Sequence, residues 1–355
     1  MVKRALNIHP SVWRADQLQD KSAISFELDA RHIAAFEQAL RSVEEKDIPL
    51  EAITQEDFPL NDIADDVQHW ENEIQNGKGL LTLTGLPIER YSKTQCATIY
   101  WGLSSYFGAP QSQSLEGDLL GHVVGVGGKD TRERAYRNST ELALHTDASD
   151  IVGMMCLVKA KKGGLSGYSS GPAVYNEMLS KHPELLEVLF EGFQYHRFGE
   201  HSPGESPVTE HKIPVFSEVN GLISISYLRM YIELAYLEMG VEKSQAEQQA
   251  LDTLDDIAHS PAFRFNFMME PGDIVYFNNY TVLHTRTEFF DHDDPDKRRH
   301  LLRLWLKAHR PRPVHKYIEA FTDREGIKPQ EGKKSFYAGS YNYKENIPHS
   351  EHLND

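Results

Sequence analysis

The sequence predicts a mainly β fold with decorating helices (α+β), either a barrel or a double-sheet jelly roll, and three observations lead to this prediction. From about residue 120, short apolar runs alternate with Gly, Pro, Asn and Ser, as in folds built from many short strands and turns. Helical periodicity interrupts these runs only at about 176–193 and 229–260, so the pattern is not that of repeated βαβ units. The glycines of "GVGGKD" (125–130) lack the spacing of a dinucleotide-binding turn, and no helix follows them.

The region before residue 120 predicts two helices and one strand. Residues 30–45 have apolar positions at helical spacing, whereas residues 79–87 alternate and end at Gly-Leu-Pro, which is typical of a strand. Residues 93–108 predict a second helix, ended by Gly108 and Pro110. We expect a helical or irregular extension packed on the core at residues 1–75. A main domain that contains both helical inserts is expected at 76–325, and a polar tail at 326–355.

The strands of the main domain are predicted from runs bounded by turn residues. The insert at 229–260 is expected to break near Gly240. Strands are expected within "GHVVGV" (121–126), "LALHTDA" (142–148), "IVGMMCLVKA" (151–160), "GLSGYSS" (164–170), "FQYHRFG" (193–199), "IPVFSEVNGLISISY" (213–227), "FRFNFMMEPGDIVYFNN" (263–279) and "RHLLRLWLK" (299–307).

The composition excludes several classes of function. The formal net charge of −16 disfavours nucleic acid and anionic membranes as partners. No apolar run approaches the roughly 18 residues of a membrane span. The first residues carry no apolar segment of the kind found in secretory signals, so we expect a cytoplasmic protein. The two cysteines, Cys96 and Cys156, are expected to be buried free thiols in a reducing compartment.

The pair His145 and Asp147 is the first candidate for chemistry. The pattern His-x-Asp/Glu occurs five times in the chain. Four of the five histidines lie in charged stretches, at a helix start or in the tail, namely His69, His182, His292 and His349. Only His145 lies in an apolar β-type run. Because residues two apart on a strand point to the same side, an imidazole and a carboxylate would meet there. If that side is buried, they need a metal or a partner, whereas on a solvated strand they need neither.

A second group of candidates lies between residues 270 and 310. "NNYTVLH" presents His284 after an apolar strand, and fifteen residues later "RRHLLRLWLK" places Arg299, Arg303 and Trp305 on one face of a strand that is apolar on both faces. Such a strand is expected to be buried on both sides. Two inward guanidinium groups need anionic partners, either structural carboxylates or an anionic ligand, and the nearby metal-ligand candidates favour the ligand.

Two histidines, one carboxylate and arginines in a β barrel are typical of non-haem Fe(II) oxygenases. The 2-His-1-carboxylate set leaves open positions on the metal. A 2-oxo acid can chelate through two of them, and O2 can take the third. A guanidinium deeper in the barrel would bind the far carboxylate of the 2-oxo acid by a bidentate salt bridge.

At this point the sequence resembles the taurine dioxygenase-like (TauD/TfdA-type) branch of the Fe(II)/2-oxoglutarate-dependent oxygenases. The resemblance covers about residues 75–310 and rests on "LHTD", "GGLSGYSS…AVYNEM", "PGDIVYFNNYTVLHTR" and "RRHLLRLWL". It implies a double-stranded β-helix (jelly roll) that binds Fe(II), 2-oxoglutarate as cosubstrate, and O2. The residues it implies are His145, Asp147 and His284 as iron ligands, Arg299 and Ser166 at 2-oxoglutarate, and Arg303 at the substrate anion or at 2-oxoglutarate. Asn279 is a candidate for a place behind the metal ligands, although a plain loop-forming asparagine explains it equally well.

The resemblance also implies the reaction. We expect oxidation of an unactivated C–H of a small, anionic or amino-acid-like metabolite, by hydroxylation, desaturation or cyclisation, with release of succinate and CO2. Tyr227, Arg229 and Tyr231 are candidates for the substrate end of the pocket, although a helix with aromatic core contacts explains them equally well. Two alternatives use the same residues, namely a zinc-dependent hydrolase and a non-catalytic β barrel that binds an anion.

Overall fold

The computed structural model describes residues 4–124, 141–321 and 325–332. The glycine-rich segment at 125–130, the end of the run at 121–126 and most of the predicted tail lie outside these ranges. The α-helices in the described part are α1 Ala30–Glu45, α2 Ala64–Gln75, α3 Lys93–Ser104, α4 Gly171–Lys181, α5 Pro183–Glu191, α6 Arg229–Met239 and α7 Gln245–His259. The strands are β1 Ser25–Glu27, β2 Leu80–Thr84, β3 Gly108–Gln111, β4 Leu120–Val124, β5 Leu142–His145, β6 Ile151–Val158, β7 Lys162–Gly163, β8 Ser166–Ser170, β9 Phe216–Val219, β10 Leu222–Ile225, β11 Phe265–Phe267, β12 Ile274–Asn278, β13 Val282–Arg286, β14 Phe289–Phe290 and β15 His300–Ala308.

Two sheets form the centre of the molecule. The larger sheet has the order β1-β2-β12-β6-β15-β3, and β4 also pairs with β15. The smaller sheet has the order β11-β8-β13-β5. The pairs β4–β15, β15–β6 and β6–β12, like the pairs within the smaller sheet, are antiparallel. Strands distant in the chain are therefore neighbours in space, as expected for the predicted two-sheet class.

The buried side chains divide into three clusters that define the layers. One cluster joins the two sheets and includes Phe277 and Trp305 from the larger sheet and Tyr168 from the smaller. A second packs the other face of the larger sheet, with Leu302, against α1, α2 and α3. A third packs the smaller sheet, with Leu283, against α4, α5 and α7. The candidate chemistry of β13 and β15 thus lies between two sheets that helices cover on both sides.

The helices show where the sequence patterns were informative. Helix α1 has the predicted bounds, and the Asp29 carboxylate accepts from the first backbone N–H groups, as an N-cap does. Helix α2 was not predicted; its buried residues Val67, Trp70 and Ile74 are few and lie within a polar stretch. Helix α3 ends at Ser104, and the residues predicted to end it form strand β3 instead. Gly108 and Pro110 form a strand because β3 pairs with β15, and this pairing outweighs their local turn propensity.

The remaining predictions have mixed outcomes. The insert at 229–260 does break at Gly240, which adopts φ +64. The run at 193–199 was wrong as a strand, since it makes only the isolated bridges Phe193–Ile213 and His196–Val208. Both cysteines are buried and free. Helices long and apolar enough to span a membrane are absent from the described residues. The division at residue 75 stays a prediction, although β1 already pairs with β2 of the larger sheet.

Candidate metal centre

Three polar side chains converge between the sheets: His145, Asp147 and His284. His145 ends strand β5 and is the register partner of His284 on β13. Asp147 lies just beyond β5, so the strand geometry used to predict the pair does not extend to it, yet its carboxylate still reaches both rings. The His145 Nε2–Asp147 Oδ1 distance is 3.7 Å and the His284 Nε2–Asp147 Oδ2 distance is 3.6 Å. One ligand atom from each residue lies within 4.8 Å of the others, which is a compact three-ligand set.

The protonation states of these groups suit a divalent metal. The Ala143 carbonyl only accepts hydrogen bonds, so its 2.9 Å contact with His145 Nδ1 assigns a proton to that nitrogen, and Nε2 is the nitrogen that faces the Asp147 carboxylate. Burial, and then the neighbouring His145, lower the pKa of His284 to about 3. Burial alone would raise the pKa of Asp147, but the charge of Arg303 and the two imidazoles lower it to about 2. Neutral imidazoles and an ionised carboxylate are the donor set that Fe(II) takes in such sites.

The segment that carries these ligands is held by its neighbours. Asn279 accepts from the Asp147 backbone N–H at 2.9 Å and donates to the carbonyls of Asp147 and Ser149 at 2.6 and 2.8 Å. The Trp305 indole N–H donates to Asp147 Oδ2 at 2.9 Å. Asn279 is fully buried, so the placement expected for it behind the metal ligands matches its position in the structure.

A cavity of about 310 Å³ opens beside the three groups. Its walls are mostly apolar, and four arginines of the described residues line it. The described lining residues are Val123, Glu141, Leu142, Ala143, His145, Asp147, Met154, Ser166, Tyr168, Phe198, Leu228, Arg229, Met230, Tyr231, Phe277, His284, Thr285, Arg286, Arg299, Arg303 and Trp305. A chamber of this size suits a small-molecule ligand.

Arg299 suits the far carboxylate of 2-oxoglutarate. Its side chain is 4% exposed, and its buried Nη1 has no hydrogen-bond partner. A buried guanidinium nitrogen without an acceptor is costly, and a carboxylate would remove the cost. Ser166 lines the same cavity, as the sequence predicted. The two glycines before it are required by the backbone: Gly163 and Gly164 have φ near +74 and +75, and a side chain at Gly164 would crowd Arg299 Nε at 3.4 Å.

Arg303 occupies a different position from Arg299. Its Nε donates to Gln113 Oε1 at 2.7 Å, its Nη1 is 3.6 Å from Asp147 Oδ2, and its guanidinium carbon lies 5.1 Å from the Trp305 ring centroid. Arg303 therefore lies beside the metal ligands.

Sequence reasoning missed Arg286. Arg286 lies two residues after His284 on β13, so strand alternation from His284 would have directed it to the cavity. It is 5% exposed and lines the cavity. Burial, with the nearby charge of Arg299, lowers its pKa to about 9.

Two of the predicted substrate contacts have other partners. Tyr227 does not line the cavity but is fully buried, and its hydroxyl donates to Asp255 at 2.7 Å. That prediction was wrong because Tyr227 lies between β10 and α6, where strand alternation no longer sets the direction of a side chain. Arg229 does line the cavity, but its guanidinium binds three carboxylates, Glu233, Asp252 and Asp255. Tyr231 lines the cavity as predicted, with its ring stacked on Phe198 at 5.3 Å.

Comparison with known proteins agrees with this geometry. Residues 46–305 match the family model described as Taurine catabolism dioxygenase TauD, TfdA family. The chain is 29% identical over 324 residues to FR-33289 synthase of Streptomyces rubellomurinus, covering 90% of this chain and 94% of that protein. It is similar in structure to asparagine oxygenase in complex with Fe(II), 2S,3S-3-hydroxyasparagine and succinate, with TM-score 0.64, 18% identity and coverage of 80% and 93%. It is also similar to the non-heme iron oxygenase OrfP in complex with Fe and alpha-ketoglutaric acid, with TM-score 0.60, 14% identity and coverage of 86% and 99%.

Proposed function

This chain belongs to the taurine catabolism dioxygenase TauD/TfdA family and is an oxygenase that uses Fe(II), 2-oxoglutarate and O2, and from that premise we propose that it oxidises an unactivated C–H of a small, anionic or amino-acid-like metabolite. The products would be a hydroxylated, desaturated or cyclised metabolite together with succinate and CO2. A single observation carries the proposal: the compact set of His145, Asp147 and His284 opens onto the cavity that Arg299 lines.

The proposed roles follow from the donor atoms. His145 and His284 would hold Fe(II) through nitrogen, and Asp147 through oxygen. Arg299, with the Ser166 hydroxyl, would bind the far carboxylate of 2-oxoglutarate. With 2-oxoglutarate and O2, bound iron supplies the oxidising power. The chain itself orients both organic acids and excludes water, since the cavity walls are largely apolar.

The substrate class rests on charge and on the relatives. Arg303 lies 3.6 Å from the Asp147 carboxylate, where it would orient an anionic substrate. The structurally similar asparagine oxygenase is bound to 3-hydroxyasparagine, and the OrfP structures include one with hydroxy-L-Arg, so amino-acid-like substrates occur on this fold. These observations support a substrate with a carboxylate or similar anion.

The double-stranded β-helix is also part of the proposal. Counting β4, β5, β6, β8, β11, β12, β13 and β15 as strands one to eight gives the order 1-8-3-6 in the larger sheet and 2-7-4-5 in the smaller. This order supports a jelly roll in which the metal ligands come from the strand pair 2 and 7.

The two alternatives explain fewer of the observations. A zinc hydrolase would use the three ligands but would need no buried Arg299. An anion-binding barrel would use the arginines but would not need two imidazoles and a carboxylate whose ligand atoms lie within 4.8 Å of one another. Neither accounts for the family to which the chain belongs.

The test is an anaerobic titration of metal-free protein with Fe(II) and then 2-oxoglutarate, followed by visible absorption. A weak charge-transfer band that requires both additions is expected for the wild type, and not for His145→Ala. Arg299→Ala should require much more 2-oxoglutarate. His69→Ala and Arg310→Ala, at exposed positions, are the matched controls and should behave as the wild type does. A folded wild type without the band contradicts the proposal; a positive result opens a screen of amino and organic acids by their effect on the band.

A further inference from the structure

We propose that Arg286 is a second cosubstrate-binding arginine, which acts with Arg299 on the far carboxylate of the 2-oxo acid and makes the site selective for a diacid. The inference deepens the proposed function and rests on it. It concerns a residue that the 2-His-1-carboxylate pattern does not include.

Strand pairing places Arg286 at the required end of the cavity. Arg286 is the register partner of Ser166 across β13 and β8. Side chains of register partners in an antiparallel pair point to the same side, about 5 Å apart at Cβ. Both residues line the cavity, so Arg286 shares one wall of it with Ser166, whose hydroxyl is proposed for the cosubstrate.

A shared aromatic ring brings the two arginines together. The guanidinium carbon of Arg286 lies 4.7 Å from the Phe289 ring centroid, and that of Arg299 lies 5.2 Å from the same centroid. Phe289 is 1% exposed and stands at the start of β14. A buried ring with two cations against it fixes both side chains before any ligand enters, which reduces the ordering cost of binding.

Distance from the metal ligands also favours the cosubstrate over the substrate. Arg286 is two residues from His284 along a strand, a step of about 6.7 Å. A five-carbon 2-oxo diacid that chelates the metal at one end points its other carboxylate away from the metal ligands. Arg303, in contrast, lies 3.6 Å from Asp147 itself. The cavity thus has separate cations for the two organic acids.

Charge explains the need for a second arginine. Two buried guanidinium groups repel each other, and the half-buried Asp291, which accepts from the Arg299 backbone N–H at 2.8 Å, lies near both. A ligand carboxylate between the two arginines would lower this repulsion, whereas a 2-oxo monoacid brings no second negative charge to them. The pair therefore predicts strong selection for 2-oxoglutarate over 2-oxopentanoate, which has the same chain length but no far carboxylate.

The experiment measures that selection at equilibrium, without turnover. Anaerobic Fe(II) protein is titrated with 2-oxoglutarate and, separately, with 2-oxopentanoate, and the two dissociation constants are compared. Arg286→Gln should weaken 2-oxoglutarate binding at least tenfold and leave 2-oxopentanoate binding unchanged. Arg286→Lys, which keeps the charge but not the bidentate geometry, should fall between the two. Arg310→Gln, on the surface, is the matched control.

The outcomes separate this inference from the proposed function. If Arg286→Gln binds 2-oxoglutarate as the wild type does, or loses affinity for both oxo acids equally, the proposed role of Arg286 is wrong while the oxygenase assignment stands. A higher KM for the substrate alone would also contradict it. If Arg286→Gln does not fold, as judged by its melting transition, the Arg286→Lys ratio decides by the same criterion. A wild type that forms no band with 2-oxoglutarate contradicts the proposed function instead.

Discussion

Thr146 and Tyr227 hold each other by two hydrogen bonds: the Thr146 backbone N–H donates to the Tyr227 carbonyl at 2.7 Å, and the Tyr227 N–H donates to Thr146 Oγ1 at 2.9 Å. Thr146 stands between two proposed metal ligands, His145 and Asp147. Tyr227 is bound in turn to Asp255 of α7. The position of the ligand segment therefore depends on contacts with the helical layer, outside the metal centre.

Replacement of Thr146 by valine tests this dependence. Valine has nearly the same shape but no hydroxyl, so the buried Tyr227 N–H loses its acceptor. We expect the free energy of unfolding to fall by about 1–3 kcal/mol, and Fe(II) affinity to fall with it. Urea unfolding and anaerobic Fe(II) titration measure the two effects. Thr253→Val, at a partly exposed position of α7, is the control. If Thr253→Val lowers the free energy of unfolding by the same amount, the hydrogen bond between Tyr227 N–H and Thr146 Oγ1 is unimportant.

Asn279 holds the backbone of Asp147 by hydrogen bonds. The substitution Asn279→Asp should separate the hydrogen bonds that Asn279 donates from the one that it accepts. An aspartate can still accept from the Asp147 N–H, but it cannot donate to the carbonyls of Asp147 and Ser149. We expect Fe(II) affinity to fall on the order of 10- to 100-fold, the range typical of residues that orient metal ligands. Asn72→Asp, at an exposed helix position, should leave affinity unchanged. Normal metal binding by Asn279→Asp would show that Trp305 and Arg303 hold Asp147 without it.

Arg229→Gln is expected to change the pH dependence of stability rather than substrate binding. Burial alone would raise the pKa of Glu233, but Lys243 and Arg229 lower it, and Gln248 with Arg229 lowers that of Asp252. A carboxylate with a lowered folded-state pKa stabilises the protein above its unfolded-state pKa, and the effect is lost as the pH falls through the folded value. The variant should therefore be less stable than the wild type at pH 7, with a difference that shrinks below about pH 4.

Unfolding by urea at pH 7 and at pH 3.5 measures that difference. The KM for the substrate should stay near the wild-type value, because the Arg229 guanidinium is already bound by carboxylates. An equal loss of stability at both pH values, or a large increase in KM, would support the substrate-binding role that the sequence suggested for Arg229.

The contrast between His284 and Tyr227 shows how much the sequence could predict. His284 and Arg303 lie on β13 and β15, where a two-residue period sets the direction of each side chain, and the structure places both at the cavity. Beyond the ends of strands, tertiary contacts set the direction: Asp147 and Arg299 reach the cavity there, whereas Tyr227 does not. Periodicity is therefore a reliable guide on the strands and not at their ends.

Arg286 illustrates a different limit. Its position two residues after His284 was available from the alternation, but a lone arginine at the end of a strand usually ends in solvent. Its burial depends on Phe289 and on the approach of β15, which brings Arg299 beside it. Contacts between strands that are distant in the chain are not readable from local pattern. The missed helix α2 has the same explanation, because Trp70 becomes a core residue only through packing against α1 and β1.

The last prediction assigns separate organic acids to Arg299 and Arg303. Loss of a charge-assisted hydrogen-bonded pair costs about 1.5–3 kcal/mol, or roughly 10- to 100-fold in affinity. Arg299→Gln should weaken 2-oxoglutarate binding by that factor, measured from the absorption band, because its buried Nη1 has no other acceptor. Arg303→Gln should leave that dissociation constant unchanged and raise the KM for the substrate, because Arg303 lies beside Asp147.

Gln113 offers an independent check on the same assignment. Gln113 accepts from Arg303 Nε and donates to the Arg303 carbonyl at 3.0 Å, so it positions Arg303. Gln113→Leu should therefore reproduce the effect of Arg303→Gln on KM, in weaker form, with 2-oxoglutarate affinity intact. If both Arg303→Gln and Gln113→Leu weaken 2-oxoglutarate instead, the two arginines share the cosubstrate, and the substrate anion must be bound elsewhere in the cavity.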